Sequence, residues 1–488
     1  MIAGPLLLIV PPLLVSPLVW LLRRWATVAA LLAAGVSLLM AGMAWRLPLD
    51  RPVQLWGRQV ALGEPVSVLG RDLVMSPADR WDLVLIFVIA AGLFLFASRV
   101  SQGWTFYPLG LVLLSVFGGA LLIESHVFAA LLLQIAAALC VFLIQGGQVG
   151  STRGALRFLT FVTLAIPPLL VTSWLLGRYE LTPDDTGLLD ASAMLFAFGF
   201  AILLGVVPFH TWVSAVSADA PPLVSALVLG LFYAVVWFVM LNLIDSFDWL
   251  AGHPDFRAAF NYSAYAMIII GAALASVHRR LGHLMGYAAL VDMGAAQLAL
   301  GLQTSAGLNA ALFALGTRAL SLTVMAMGMS VIRHRAEGDF FFKLAGWGRR
   351  LPWATAALVV GGLSLAGLPP GPGFTVRWSI TRLVAREQVS GAVLLLLGSV
   401  AVGIGVIRAL IALLREPAPD YVGSEIVKEI EAAARSREEV EQKPLDREPR
   451  LAAAMIIAAL ILCLILVLQP GIHTSIIQRV AESYTFLP

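Results

Sequence analysis

The chain has 488 residues, of which 60% are hydrophobic and only 12% are charged, and its mean hydropathy is +0.90. Soluble globular domains and disordered chains have far more polar compositions, so both classes are excluded. The net charge of +3 comes without a basic patch interleaved with aromatic residues, so no nucleic-acid partner is indicated. The composition is that of a polytopic helical membrane protein, whose first partner is the lipid bilayer.

Apolar stretches long enough to cross about 30 Å of hydrocarbon recur along the whole chain. We predict about fourteen transmembrane helices and therefore an all-α fold. The twelfth segment is expected to continue past an internal break to about Glu387. The predicted segments begin near residues 3, 25, 82, 106, 127, 156, 190, 221, 261, 284, 306, 353, 391 and 451.

Arginines in the short connecting loops predict the orientation. They follow the odd-numbered segments, as at Arg23, Arg99 and Arg279. Arginine-rich short loops stay on the cytoplasmic side, so both termini are expected on the outer side of the inner (cytoplasmic) membrane, and the loop at 46–80 becomes an outer loop. The first segment is followed by Arg23 and Arg24 and preceded by no basic residue, which favours a retained helix over a cleaved signal peptide.

A helix breaker interrupts one apolar segment at a corresponding place in each half of the chain. The first reads GVVPFH at 205–210, and the second reads AGLPPGPG at 366–373. A break in a membrane helix frees backbone groups that lipid cannot satisfy, so it persists only where protein or a polar cavity surrounds it. Matched breaks in two halves are typical of a transporter built on repeats.

The other polar features of the chain indicate neither a cofactor nor a metal. Cys140 and Cys463 lie in apolar runs without a nearby histidine or second cysteine, so we expect no disulfide and no metal site. The segment at 416–450 carries charges of both signs, which favours a solvated cytoplasmic helix over a docking arm for a partner. Glu124 and His126 lie in a short outer loop, where solvation is the default; an outer proton mouth is the alternative.

Three ordered motifs resemble those of a known family. VPFHTW at 207–212, followed by APPLVSAL at 220–227, resembles a signature of the antiporter-like membrane subunits of complex I (NADH:quinone oxidoreductase) and of Mrp-type cation/proton antiporters. RLGHLMGYAALVDMG at 280–294 and LAGLPPGPGF at 365–374 resemble two further motifs of that family. The resemblance spans about residues 105–415. The number of segments suggests the N-type subunit of complex I as the nearest relative.

The resemblance implies a domain organisation. N-terminal helices one to three, at 1–105, precede two inverted five-helix repeats at 106–245 and 261–415, each with one broken helix. The charged segment at 416–450 and a last helix with its tail at 451–488 complete the chain. Members of the family pass protons along buried ionisable residues and water near the bilayer midplane. They assemble with other membrane subunits, including further antiporter-like subunits, and carry no redox cofactor themselves.

The chain departs from this family at the positions that would relay protons. A relay needs groups that exchange a proton near ambient pH. Glutamine, leucine and alanine cannot do so, and arginine holds its proton too tightly. The replaced positions are, in chain order, Gln134 for glutamate, Leu203 and Ala234 for lysine, Asp292 and Arg318 for histidine, and Ser321 and Arg377 for lysine.

The candidate proton path or polar axis that remains contains few titratable groups. A charge near the bilayer centre costs about 2.5–3.5 kcal/mol, so Asp292 and Arg318, on adjacent segments, are expected to pair. A static pair would keep Asp292 ionised; a switchable Asp292 is the alternative. His210, at the first break, either shuttles protons or satisfies freed carbonyl groups. The complete set is His210, Asp292, Arg318, Arg377, Gln134 and Ser321.

Three functional hypotheses follow from these residues. The leading one is an antiporter-like membrane subunit of a complex I-like or Mrp-like ion-translocating assembly, with its own proton path impaired and a structural or coupling role. The rival is an active proton or cation translocator that uses water wires with Asp292 and His210. The third is an independent small-solute carrier. None assigns catalytic chemistry to this chain, which at most is a non-redox subunit of an NADH:quinone oxidoreductase-like complex.

Overall fold

The computed structural model describes residues 2–49, 53–55, 58–68, 70–146, 152–182, 185–416, 448–469, 477–484 and 486. Within these ranges the chain is almost entirely helical, which confirms the predicted all-α membrane fold. Ten of the helices in these ranges are long and apolar enough to cross a membrane. The total of fourteen crossings stays a prediction.

The observed helices begin close to the predicted segment starts. The two predicted breaks separate α7 from α8 and α16 from α17, and the twelfth segment resumes and ends at Glu387 as expected. In chain order the helices are α1 (Gly4–Leu21), α2 (Ala26–Arg46), α3 (Pro77–Ala97), α4 (Phe106–Leu122), α5 (His126–Gln145), α6 (Arg153–Leu181), α7 (Gly187–Leu203), α8 (Thr211–Asp219), α9 (Pro222–Ala226), α10 (Tyr233–Ser246), α11 (Asp248–Ala251), α12 (Phe256–Val277), α13 (Leu281–Leu300), α14 (Ser305–Arg335), α15 (Trp347–Arg350), α16 (Pro352–Ala366), α17 (Gly373–Glu387), α18 (Val389–Leu414) and α19 (Arg450–Leu468).

Short β-strands, absent from the sequence-based prediction, lie at the start of the chain and in the predicted outer loop. They are β1 (Ile2–Ala3), then β2 (Val53–Leu55), β3 (Arg58–Ala61), β4 (Val66–Val68) and β5 (Arg71–Leu73) in the loop. One sheet has the strand order β1-β3-β2, in which β1 is parallel and β2 antiparallel to β3. The other sheet is the antiparallel pair of β4 and β5. Gly70, between β4 and β5, has a φ of +74°, a conformation that glycine adopts without strain.

The end of this loop is a helix cap. Ser76 Oγ accepts a hydrogen bond from the backbone N–H of Asp79 at 3.2 Å, and the Asp79 carboxylate accepts one from the N–H of Ser76 at 2.8 Å. This capping box satisfies two N–H groups at the start of α3. Asp79, which the sequence placed in the outer loop, therefore lies in the first turn of a membrane helix and is buried.

We expect Ser76→Ala to lower the unfolding free energy by about 1 kcal/mol, because it removes the cap bond to Asp79. Thermal unfolding of the purified protein in detergent measures the change. Thr152→Ala is the matched control, since Thr152 precedes α6 but makes no side-chain cap bond. Equal destabilisation by the two substitutions would contradict the capping role.

The two helix breaks have the same local structure. Gly205, two residues after the end of α7, has a φ of +63°, and Gly367, directly after the end of α16, has a φ of +73°. In each case the next N–H reaches back five residues along the helix: Val206 donates to the Ala201 carbonyl, and Leu368 to the Leu363 carbonyl, both at 2.8 Å. This is the Schellman ending, which needs a left-handed residue and is therefore favoured by glycine.

The interior of the molecule is formed by the stretch from α9 to α10 together with α13 and α14. Nearly all of their side chains are buried, whereas α1, α2 and α19 expose many large apolar residues. Between α9 and α10 the helix widens to a π-type turn over Leu227–Phe232, which the sequence analysis did not predict. Such insertions in helices occur frequently at functional sites. Most of the charged segment predicted at 416–450 lies outside the described residues.

Candidate functional site: a buried arginine–aspartate cluster

Asp292 lies between two arginines in the interior. Its Oδ2 accepts a hydrogen bond from Arg318 Nε at 2.8 Å, and its Oδ1 accepts one from Arg377 Nη2 at 3.1 Å. The three residues come from α13, α14 and α17, so the carboxylate joins three helices of the second half. The predicted Asp292–Arg318 pair is therefore present, and Arg377 is a second partner that the sequence analysis did not assign to it.

The second break is part of the same cluster. Arg377 Nη2, which binds Asp292, also donates to the backbone carbonyl of Leu365 at 3.2 Å, near the end of α16. The C-terminal carbonyl groups of a helix have no partner within the helix. Arg377 therefore satisfies one of the carbonyl groups that the break exposes and links it to the buried carboxylate.

The first break is closed by an uncharged side chain. The indole Nε1 of Trp212, in α8, donates to the carbonyl of Ile202 at 3.2 Å, near the end of α7. Trp212 is fully buried. Both breaks are thus closed in the same way: a side-chain donor on the helix after the break binds a backbone carbonyl of the helix before it. The donor is neutral in one half and charged in the other.

Trp212→Phe is expected to lower the unfolding free energy by about 1–3 kcal/mol, because the buried Ile202 carbonyl loses its donor while the aromatic packing largely remains. The measurement is the thermal unfolding midpoint in detergent. Trp174→Phe on the exposed face of α6 serves as the control. A loss no greater than that of the control would show that the indole N–H does not support the break.

Two serines support the cluster beside the second break. Ser321 Oγ donates to the Thr317 carbonyl and shares a hydrogen bond of 2.6 Å with Ser364 Oγ. Ser364 Oγ in turn accepts the backbone N–H of Gly373 at 2.9 Å, where α17 begins. Ser321 thus contacts the break of the second half and is buried. The predicted polar axis gains Ser364, which the sequence did not single out because serine is common in packed helices.

Aromatic residues of α10 cover the cluster from the first half. The guanidinium carbon of Arg318 lies 4.7 Å from the ring centroid of Tyr233, a cation–π distance. Trp237 follows one turn further along the same face of α10, and both side chains are fully buried. Neither residue gave a signal in the sequence, where each stands in an apolar run. The cluster therefore lies where the two halves of the chain meet.

The remaining candidate residues, from the first half, do not join this cluster. Leu203 and Ala234 are buried at 0% and 1% exposure. Gln134 is half-buried, and its Nε2 donates to Thr163 Oγ1 on α6 at 2.9 Å. His210 is half-buried beside the first break. Its ring interacts with the backbone of Pro208, but its Nδ1 makes no hydrogen bond of ordinary geometry in the part of the chain that the structure describes. Of the polar axis predicted from the sequence, only the residues of the second half form a connected cluster.

A separate acidic cavity of about 250 Å³ lies near the strand-containing loop. Its lining includes Asp79, Glu124, His126 and Asp245 together with Asn242, which donates to Asp79 Oδ1 at 3.3 Å. Glu124 and His126 had been considered as an outer proton mouth. Their presence in one cavity with a buried aspartate is the geometric basis for that alternative.

Comparison with known proteins agrees with this fold and these motifs. Residues 174–405 match the family described as NADH:quinone oxidoreductase/Mrp antiporter, TM. NADH-quinone oxidoreductase subunit N of Deinococcus radiodurans is 26% identical over 86% of this chain and 88% of its own length. A chain in the structure of the Mrp complex from Dietzia sp. DQ12-45-1b superimposes with a TM-score of 0.81 at 19% identity, covering 99% of this chain and 97% of that one.

Some relatives are longer than this chain. Formate hydrogenlyase subunit 3 of Escherichia coli (strain K12) is 28% identical over 72% of this chain but only 61% of its own length. For hydrogenase-4 component B of the same organism, the match covers only 37% of that protein's own length. The chain thus spans about a third to three fifths of the length of these two relatives.

The broken helices, the buried polar cluster and these matches define an integral membrane protein of the antiporter-like subunit class. Residues 174–405, a little under half of the chain, match the NADH:quinone oxidoreductase/Mrp antiporter family, and the fold of the whole chain is that of these proteins.

Proposed function

We propose that this chain is a membrane subunit of a multi-subunit, ion-translocating assembly of the complex I or Mrp type, with its own proton path impaired and a structural or coupling role. It would reside in the inner membrane beside other antiporter-like subunits. Redox chemistry, where the assembly has any, would lie on other subunits. The named relatives are a subunit of NADH-quinone oxidoreductase and a subunit of formate hydrogenlyase, and the structural neighbour is part of an Mrp complex.

The observation that carries this proposal is the fixed partnership of Asp292. Each of its oxygens accepts a hydrogen bond from an arginine. Two guanidinium groups hold the carboxylate in a static ion pair, so neither of its oxygens is free to join a relay along the axis. Arginine itself does not release its proton in proteins. Among the residues that the structure describes, the buried acid on the second half's axis is thereby engaged in a fixed ion pair.

The first half supports the same proposal. Leu203 and Ala234, where the resemblance implies lysine, are apolar and buried. A proton cannot be handed to either side chain. Gln134 donates a hydrogen bond to Thr163, and its amide cannot titrate. We further propose that 106–245 and 261–415 form the two inverted repeats, joined at the cluster, and that both termini lie outside.

One observation favours the rival, an active translocator. The acidic cavity brings Asp79, Glu124 and His126 together near the strand-containing loop, and His210 Nδ1 at the first break makes no hydrogen bond of ordinary geometry with the described residues. Water between these groups would give a route that avoids Asp292.

Ion translocation by the complete assembly in proteoliposomes separates the two functions. We expect His210→Gln to leave the number of ions moved per turnover unchanged. Arg382→Gln, on the exposed face of α17, is the control and should also leave that number unchanged. A translocating role predicts instead a reduced ratio in His210→Gln, at normal assembly and with Arg382→Gln unaffected. Solute flux through the isolated chain would favour the carrier and contradict both.

A further inference from the structure

The buried cluster does not balance its own charge. Arg318 and Arg377 are 2% and 3% exposed, and both bind the single carboxylate of Asp292. Among the described residues neither arginine has a second acidic partner. Two guanidinium groups against one carboxylate leave one net positive charge in the interior, and an uncompensated buried charge is strongly unfavourable.

The unpaired charge coincides with unused hydrogen-bond donors. Arg318 binds Asp292 through Nε alone, so its Nη1 and Nη2 have no acceptor in the described part of the chain, and neither has Arg377 Nη1. Two neutral groups on α10, the Tyr233 hydroxyl and the Trp237 indole Nε1, are also buried; Tyr233 lies beside Trp237 and Arg318, but neither group makes a hydrogen bond of ordinary geometry with the residues that the structure describes. Every unsatisfied group here is one that donates to an anion.

We infer that the cluster is a binding site for one small monovalent anion of halide size, held by the free guanidinium edges of Arg318 and Arg377 and by the polar atoms of Tyr233 and Trp237. Such an anion neutralises the remaining positive charge and accepts the unused hydrogen bonds. Charge-assisted bonds from guanidinium groups are among the strongest in proteins. The inference does not depend on whether the subunit itself moves protons.

The burial of the cluster determines the size of the ligand. With the two arginines almost wholly enclosed by this chain, neither a lipid headgroup nor a side chain of a neighbouring subunit can reach them. The Asp292 side chain is 13% exposed, so only a small solute can come close to the carboxylate. A diffusible ion passes where a larger anion does not, and chloride is the probe that matches this description.

Anomalous diffraction tests the location directly. The complete assembly is crystallised with bromide in place of chloride, and data are collected at the bromine absorption edge. We expect an anomalous peak within hydrogen-bonding distance of Arg318 Nη1 or Nη2, or of Arg377 Nη1. Density there without an anomalous signal, as ordered water would give, overturns the inference, as does an empty site.

Chloride binding to variants tests the charge argument. The broadening of the ³⁵Cl resonance by the assembly is measured as a function of chloride concentration. Asp292→Asn keeps the shape of the side chain but removes the competing negative charge, so the dissociation constant should fall by about tenfold or more. Arg318→Gln should abolish the saturable component, and the exposed Arg382→Gln should leave it unchanged.

Chloride binding must become tighter in Asp292→Asn and must be lost in Arg318→Gln. Weaker binding in Asp292→Asn, or saturable binding unaffected by Arg318→Gln, overturns the inference. If Arg318→Gln fails to assemble, Asp292→Asn and the bromide map each decide the question alone.

Discussion

Replacing Asp292 with alanine is expected to destabilise the protein by about 3–5 kcal/mol. The substitution leaves Arg318 and Arg377 buried at 2% and 3% exposure without the carboxylate that both of them bind. Removing one partner of a buried ion pair is costly because the other charge stays in a medium that solvates it poorly. It also separates α13, α14 and α17, which the carboxylate joins.

The measurement is the free energy of unfolding in detergent at a fixed chloride concentration. Asp255→Ala, at an exposed position before α12, is the control and should change stability by less than about 0.5 kcal/mol. The double variant Asp292→Ala with Arg318→Met removes one of the two stranded charges. It should therefore lose less stability than the sum of the two single variants. Additive losses, or an Asp292→Ala variant as stable as the control, would contradict the pairing.

Gly367→Ala is the second substitution with a large expected effect. Gly367 ends α16 with a φ of +73°, where an L-residue pays about 1–2 kcal/mol. An added Cβ would also lie 2.4 Å from both Cβ and Cγ of Arg377. Arg377 must then shift from its bonds to the Leu365 carbonyl and Asp292, so we expect a total loss of about 3 kcal/mol or more.

The control for this experiment is a glycine with free space around it. At Gly92, in α3, an added Cβ meets nothing within 4 Å. Gly92→Ala should thus be neutral or stabilising by up to about 1 kcal/mol, because alanine favours the helix. Both variants are compared by thermal unfolding in detergent. If Gly367→Ala unfolded at the same temperature as Gly92→Ala, the break would tolerate a side chain at this position.

Local sequence information predicted the parts of the fold that local forces determine. The breaks at Gly205 and Gly367 were identifiable because glycine followed closely by proline ends a helix wherever it stands. The Asp292–Arg318 pair was identifiable because a membrane charge requires a partner and these two lie on adjacent segments.

Features that depend on tertiary structure could not be predicted. The bond from Arg377 to Asp292 requires the fold of the second break, which brings α17 beside α13. Tyr233 and Trp237 are indistinguishable in sequence from the apolar residues around them, and their importance comes only from their position near Arg318. The strands near 53–73 are short, and nothing in their composition separates them from an ordinary polar loop.

The helix breaks of the two halves share one backbone structure, but the side chains that close them differ chemically. Trp212 closes the first break with a neutral donor, whereas Arg377 closes the second with a charge that extends to Asp292 and Arg318. The first half carries the apolar residues Leu203 and Ala234 at positions where the family resemblance implies lysine. On the proposed function, such a subunit would couple its neighbours mechanically and electrostatically without passing protons through its own interior.

Infrared difference spectroscopy of the assembly during turnover tests this account most directly, with Asp292→Asn to assign any carboxyl band. The account predicts no protonation change at Asp292, because both of its oxygens remain bound to arginine, so the difference spectra of wild type and variant should agree in the carboxyl region. A carboxyl band that appears during turnover in the wild type and is missing from Asp292→Asn would contradict it.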